Sequence, residues 1–138
     1  MTGVDDFVGR TTYRVLYGDV DQMGVLYHAN FFRLFERGRS EYIRDRGLPY
    51  REIEERGAAL PVTEAHAHYH RPVRYDDLIV IETAVGLVRR ASIRFEYELY
   101  RQENALELLA EGWTLHACVS PDGKVIRLPE YVRELFVG

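Results

Sequence analysis

Only one stretch of this chain carries a long helical pattern, and that helix needs a cover. Over residues 29–46, Phe31, Phe35, Gly38 and Tyr42 recur at steps of four, three and four, so they share one helix face. Phe32 and Ile43 widen that face, and charges fill the other side, with Arg37 and Glu41 spaced for an i,i+4 contact. Gly38 costs helix stability. Its place on the apolar face predicts close packing against another backbone, where a side chain would not fit. Gly47 and Pro49 end the helix by the usual stop signals, and 50–57 reads as a short helical turn.

Most of the remaining chain reads as strand. Residues 11–17 are rich in Thr, Tyr and Val, a strand composition. Residues 60–70 place Ala65, Ala67 and Tyr69 on one face and His66, His68 and His70 on the other. Residues 78–88 form a long β-rich run with Ile79, Ile81, Val85 and Leu87 on one face. Arg89-Arg90 marks a hairpin. In 91–101, Ile93, Phe95, Tyr97 and Leu99 alternate with Arg94, Glu96 and Glu98. Asn104 turns the chain into another long strand, 106–119. Pro121-Asp122-Gly123 is a strong turn signal, followed by a short strand at 124–127 and a last helix from Leu128-Pro129. One long helix and about five strands predict an α+β architecture, an antiparallel sheet curled around one buried helix. With 138 residues, a single domain over 1–138 suffices, and residues 1–10 read as a loose lead-in.

Composition narrows the function. Eighteen basic and 22 acidic side chains give a net charge of −4, whereas nucleic-acid binding needs a basic footprint. No apolar stretch approaches the length of a membrane span, and the first residues lack the pattern of a secretory signal. The single cysteine, Cys118, leaves no intrachain disulfide and fits a reducing, cytoplasmic setting. Ten tyrosines suit sheet surfaces and subunit interfaces.

The chemistry concentrates before the helix. Residues 17–28 read Y-G-D-V-D-Q-M-G-V-L-Y-H, with carboxylates at Asp19 and Asp21. The first turn of a helix has free N–H groups and a partial positive charge, which can stabilise a developing oxyanion. A carboxylate beside it is either a catalytic group or simply a turn former. Local sequence leaves both readings open and leans to the turn.

Elsewhere the candidates are weaker. His66, His68 and His70 have a spacing that can bind zinc, but a polar outer face or a subunit contact is the preferred reading, with no metal. Cys118 shares a strand face with His116 but reads as a small core residue. Glu36 and Glu41 on the helix read as solvated or paired.

Three blocks, in order, resemble one family. They are D-V-D-Q-M-G-V-L-Y-H-A-N-F at 19–31 with F-E-R-G-R at 35–39, Y-H-R-P-V-R-Y-D-D at 69–77, and H-A-C-V at 116–119 with R-L-P-E at 127–130. The chain is similar to the hot-dog-fold acyl-CoA thioesterases, in the branch of 4-hydroxybenzoyl-CoA thioesterase and the YbgC-like proteins. The resemblance implies a hot-dog fold and hydrolysis of an acyl-CoA thioester to free acid and CoA, with no cofactor. It implies Asp21 as nucleophile or general base, the His28 backbone amide polarising the carbonyl, and Tyr17 and the His28 side chain in the site. Asp19 drops to a turn-shaping role. Gly24 and Tyr27 are expected beside the substrate. Arg89, Arg90 and Ser92 are candidates for the CoA phosphates, which arginine suits, although a hairpin arginine is usually just solvated.

Two departures stand out. Gln22-Met23 replaces small residues, which reshapes the acyl pocket. His28 stands where the hydroxybenzoyl-specific members carry an aromatic, which weakens the case for an aromatic acyl group. The expected substrate is a short to medium acyl-CoA, or an acyl-carrier-protein thioester. The resemblance implies a homodimer or homotetramer, and one curled sheet around one helix leaves little interior room for a ligand, so the site is expected between subunits. The competing reading is a non-catalytic acyl-CoA or carrier-protein binding scaffold on the same fold. A hot-dog hydratase is a third, and the blocks do not match it.

Overall fold

The computed structural model describes residues 4–137. Strand β1 (Gly9–Arg14) comes first, and the long helix is α1 (Asn30–Asp45). A short helix, α2 (Tyr50–Glu55), follows. Then come β2 (Val62–Tyr69), β3 (Leu78–Val88), β4 (Ser92–Arg101) and β5 (Asn104–Ala117), and a last short helix, α3 (Glu130–Arg133). The strands form one antiparallel sheet in the order β1-β3-β4-β5-β2. The crossover is the segment carrying α1, which enters from edge strand β1 and leaves to the opposite edge, β2. A helix threaded between the two edges must lie across the sheet, and α1 packs on β1, β3 and β4. This is the α+β hot-dog arrangement, one central helix wrapped by five strands. Among the described residues, no helix is long and apolar enough to cross a membrane.

The helix is held by its periodic face. Phe31, Leu34, Phe35, Gly38, Tyr42 and Ile43 are buried, each large side chain contributing about 2 kcal/mol through burial. Phe35 stacks on Tyr97 of β4 with ring centroids 4.4 Å apart and interplanar angle 5°. The alternation of β4 is as expected: Ile93, Phe95, Tyr97 and Leu99 are all buried. Gly38 does sit at a close approach, but to side chains. A Cβ there would lie 2.4 Å from Thr83 Oγ1 and 2.7 Å from Ile81 Cγ2.

Several expectations are corrected. The first strand covers Gly9–Arg14 rather than 11–17, so the lead-in gives its last two residues to the sheet. More of it is tied down: the Asp5 N–H donates to Phe136 C=O at 2.9 Å, and Phe7 packs edge-on against Tyr42. Residues 1–3 lie outside the described structure. The chain leaves the sheet after Arg14 because the Asp19 carboxylate takes the Leu16 N–H at 2.8 Å, winding Tyr17–Asp19 into a 3-10 turn. Leu87 does not share the face of Ile79, Ile81 and Val85. The register shifts between Val85 and Leu87, so Gly86 is a bulge. Beyond it, Val88 pairs with buried Ile93, and Leu87 pairs with outward Arg94. Residues 124–127 make only an isolated bridge, Val119 to Val125. Glu41 pairs with Arg44 instead of Arg37. Arg37 turns toward β1, donating to Thr12 C=O at 3.1 Å and lying over the Tyr13 ring.

Candidate active site

The turn between β1 and α1 is a small hairpin pinned on both sides. Val20 bridges Leu26 antiparallel, and Val25 bridges Arg74. The Asp21 N–H donates to Val25 C=O and the Gly24 N–H to Asp21 C=O, both at 2.9 Å. Gly24 takes φ +79°, a left-handed conformation glycine adopts without steric cost, so its role is to close this turn. The Leu26 N–H then donates to Val73 C=O at 2.6 Å and the Tyr27 N–H to Asp19 C=O at 3.3 Å.

The two aspartates part here. Asp19 is buried. Its carboxylate accepts from the Tyr13 hydroxyl at 2.6 Å, the Leu16 N–H at 2.8 Å and Arg33 at 3.2 Å. Burial alone would push its carboxyl up, but those three donors together hold it below the usual carboxylate range. Asp19 C=O also accepts from Asn30 Nδ2 at 2.8 Å, which ties the turn to the first residue of α1. Asp21 is exposed. Its Oδ1 accepts the Met23 N–H at 2.8 Å and the Val25 N–H at 3.4 Å, leaving the rest of the carboxylate open.

The start of α1 continues the pattern. The N–H groups of Asn30, Phe31 and Phe32 donate to the carbonyls of Tyr27, His28 and Ala29 at 2.8, 3.2 and 3.3 Å. These i→i−3 bonds carry helical geometry back one turn, and Ala29 has φ −64°, ψ −25°. The N–H groups of His28 and Ala29 therefore occupy the first turn, where donors lack an intrahelical acceptor. Among the described residues neither has a hydrogen-bond acceptor.

A groove of about 460 Å³ opens at this point. Asp21, Tyr27, His28 and Phe31 line one side, and Tyr69 with residues 70–73 line the other. The Tyr27 and His28 rings lie 4.3 Å apart, and Phe31 meets Tyr69 edge-on at 4.8 Å. The structure thus brings together Asp21, Tyr27 and His28, with Gly24 shaping the turn between them. Tyr17 is outside the groove, 79% exposed and packed edge-on against Tyr75 at 5.6 Å. Arg89, Arg90 and Ser92 are also apart. They close the β3–β4 hairpin, where the Arg89 N–H donates to Ser92 C=O at 2.8 Å. None of the three lines the groove, and the eleven residues of β3 lie between their hairpin and the loop that ends at Asp77.

Sequence reasoning missed the far wall. Tyr69 lies on the strand face opposite the histidines, as its alternation predicts, with its ring against Phe31 of α1, and its hydroxyl donates to His28 C=O at 3.3 Å. The 72–77 loop is clamped by Arg101, which donates to Pro72 C=O at 3.0 Å and pairs with Asp77 and Glu107. The block at 69–77 was the available signal, but nothing in it points to a partner on β4.

The histidines of β2 lie on the outer face. His66 stacks on Trp113 and His68 on His70, and His70 Nε2 is 2.6 Å from Glu111. Among the described residues no group of three or more His, Cys, Asp or Glu is arranged to hold a metal ion. Cys118 is buried, and burial pushes its thiol up, away from the thiolate a nucleophile needs.

Residues 15–136 match the family described as the thioesterase-like superfamily. The chain is 36% identical over 125 residues to the acyl-CoA thioesterase YbgC of Haemophilus influenzae, covering 89% of this chain and 90% of that protein. It is 33% identical over 112 residues to the acyl-CoA thioester hydrolase YbgC of Escherichia coli O157:H7, covering 81% and 82%. Among solved structures, the DHNA-CoA thioesterase of Staphylococcus aureus superposes with a TM-score of 0.86 at 30% identity, covering 92% of this chain and 85% of that one.

Proposed function

The chain belongs to the thioesterase-like superfamily, and on that premise we propose that it is an acyl-CoA thioester hydrolase with Asp21 as its reacting carboxylate. One observation carries the assignment of Asp21: Asp21, with an open carboxylate, and His28, whose N–H has no acceptor among the described residues, line the same groove at the start of α1. The thioester carbonyl oxygen takes the His28 N–H, where the helix supplies positive potential. Asp21 then acts by one of two routes. As general base it removes a proton from water, whose oxygen attacks the carbonyl carbon. As nucleophile it attacks the carbon itself and forms a mixed anhydride that water cleaves. Either way the C–S bond breaks, the CoA thiolate takes up a proton, and the acyl group leaves as a free acid.

The aromatic and aliphatic walls of the groove, from Tyr27, Phe31, Tyr69 and Val73, suit the acyl group. The His28 ring, packed on Tyr27, would hold the substrate or orient the water. Tyr17, packed on Tyr75, is assigned no step. Arg89, Arg90 and Ser92 do not line this groove; in the proposed enzyme, a homodimer or homotetramer, they would meet CoA from a second copy of the chain. What supports this is an open sheet: among the described residues its edge strands, β1 and β2, each have a strand on one side alone. A cytoplasmic setting belongs to the same proposal and rests on the single cysteine.

The test is thiol release from CoA thioesters of graded acyl length. Asp21→Asn is expected to lower the rate at least about 100-fold, the range typical of a lost acid–base group, while the fold survives. Wild-type rates in both Asp21→Asn and Asp21→Ala would overturn the assignment. Tight acyl-CoA binding by the wild type without turnover would mark a binding protein instead.

A further inference from the structure

We propose that Tyr69 is a positioning residue for the thioester, acting through the peptide between His28 and Ala29; this rests on the thioesterase reading above. His28 C=O has two lone pairs, and two donors use them. The Phe31 N–H of the helix donates at 3.2 Å, and the Tyr69 hydroxyl, from the last residue of β2, donates at 3.3 Å. A trans peptide is planar, so its N–H points opposite to its C=O. Fixing His28 C=O therefore fixes the direction of the Ala29 N–H, which has no acceptor among the described residues. The preceding peptide is set in the same way, because Tyr27 C=O accepts the Asn30 N–H at 2.8 Å. The His28 N–H, on a residue that lines the groove, and the Ala29 N–H, one peptide further on at the start of α1, are thus held in neighbouring planes, both without an acceptor among the described residues. The helix alone aims the first. The second is aimed jointly by the helix and by a side chain 41 residues away in sequence.

A donor aimed before the reaction needs no reorganisation as negative charge develops on the carbonyl oxygen, and that is where such donors act most. The Tyr69 hydroxyl is the wrong group to explain as a structural brace. The residue is 42% exposed, and an exposed hydrogen bond adds little to stability. Its ring meets Phe31 at 4.8 Å and His28 at 6.5 Å, so the ring is a wall of the groove, and the hydroxyl is separable from it. Tyr69→Phe removes only the bond to His28 C=O.

Aiming affects the transition state more than substrate binding, so the loss falls on kcat. Because it concerns the carbonyl, it is the same for every acyl group. The experiment is steady-state thiol release by full-length Tyr69→Phe on the acyl-CoA panel, with thermal unfolding alongside. The expected result is a fall in kcat of about 5- to 20-fold, less than the loss of a whole oxyanion donor. KM should stay within about twofold, the factor should not vary with acyl length, and Tm should be unchanged. Tyr69→Leu, which also thins the wall, should add a rise in KM that grows with acyl length. An unchanged kcat in Tyr69→Phe overturns the proposal, and so does a deficit that appears in KM or tracks acyl length. The Asp21→Asn control separates the two levels. If it is inactive while Tyr69→Phe matches the wild type, only the role of Tyr69 fails. If Asp21→Asn keeps full activity, the underlying assignment fails first.

Discussion

Asp19 and Asp21 stand two residues apart on one turn and present their carboxylates to opposite surroundings, the first to a buried set of donors and the second to an open groove. Their roles should separate cleanly in variants. Asp19→Asn puts an amide where Tyr13, Leu16 and Arg33 all donate, so one donor meets another. A cost of about 2 kcal/mol is expected for a disrupted, mostly buried network of this kind. Asp21→Asn keeps an oxygen for the Met23 and Val25 N–H groups, so its stability should stay within about 0.5 kcal/mol of wild type. Urea unfolding of the pair checks this. A stable Asp19→Asn would show that the donors do not hold the turn. The same network sets a pH dependence. A carboxyl held below its usual value stabilises the fold above about pH 4 and loses that contribution as pH falls further.

His116 makes a second pH-dependent contribution, and in a different window. Its Nδ1 lies 2.8 Å from Leu60 C=O, which can only accept, so Nδ1 carries the proton. Nε2 of the neutral ring then accepts from the Thr114 hydroxyl at 2.8 Å, and Thr114 in turn accepts from Tyr97 at 2.5 Å. Burial, with a smaller contribution from Arg39, pushes this imidazole down to about 4 from 6.5, although the Leu60 carbonyl pulls the other way. The folded state thus holds His116 neutral where the unfolded chain would protonate it. Stability contributed by this residue is complete above about pH 6.5 and is lost as pH falls toward 4, at about 1.4 kcal/mol per unit and about 3 kcal/mol in all. Urea midpoints between pH 7.5 and 4.5 should show the slope. His116→Asn, weaker at pH 7.5, should show a flatter one over the same range, and parallel curves would contradict the assignment.

The β-bulge at Gly86 makes a prediction about two adjacent apolar residues. Val88 pairs with buried Ile93 and packs on the core, whereas Leu87 pairs with outward Arg94. Val88→Ala should therefore cost about 1–2 kcal/mol, and Leu87→Ala less than about 0.5 kcal/mol. Strict alternation along β3 would give the reverse order, so the two unfolding midpoints decide between the registers.

What could be read in advance and what could not divide along a physical line. Phe31, Phe35, Gly38 and Tyr42 declared a helix face because four residues repeat one spacing. Ile93, Phe95, Tyr97 and Leu99 declared a sheet face in the same way. Repetition makes such signals robust to any single exception. The misreadings were single events. One glycine at 86 shifted a register, and one buried carboxylate at Asp19 ended β1 early. Arg37 found a carbonyl on β1 instead of the glutamate one turn along its own helix. In the groove, Asp21 and His28 were legible because they share one local segment with a family pattern. Tyr69 was not, because its bond to His28 depends on where the edge strand comes to lie.

Two glycines let α1 approach the sheet, and their surroundings predict unequal consequences. A Cβ at Gly112 of β5 would lie 2.2 Å from His66 C=O and 2.7 Å from the Phe35 ring. The carbonyl belongs to the neighbouring strand, so relief requires β2 to move away from β5. Gly112→Ala should cost about 3 kcal/mol, at the upper end for overpacking. At Gly38 the obstacles are side chains, Thr83 Oγ1 at 2.4 Å and Ile81 Cγ2 at 2.7 Å. Alanine there also gains about 1 kcal/mol of helix propensity, so the net cost should be smaller. The Thr83 hydroxyl has no partner among the described residues, which leaves it removable without breaking a bond. In a Thr83→Ala background the Gly38→Ala penalty should shrink by about 1 kcal/mol, a coupling of the size seen between residues in contact. A double-mutant cycle on urea midpoints measures it. Equal penalties in both backgrounds would mean that Thr83 is not what limits how closely the helix lies on the sheet.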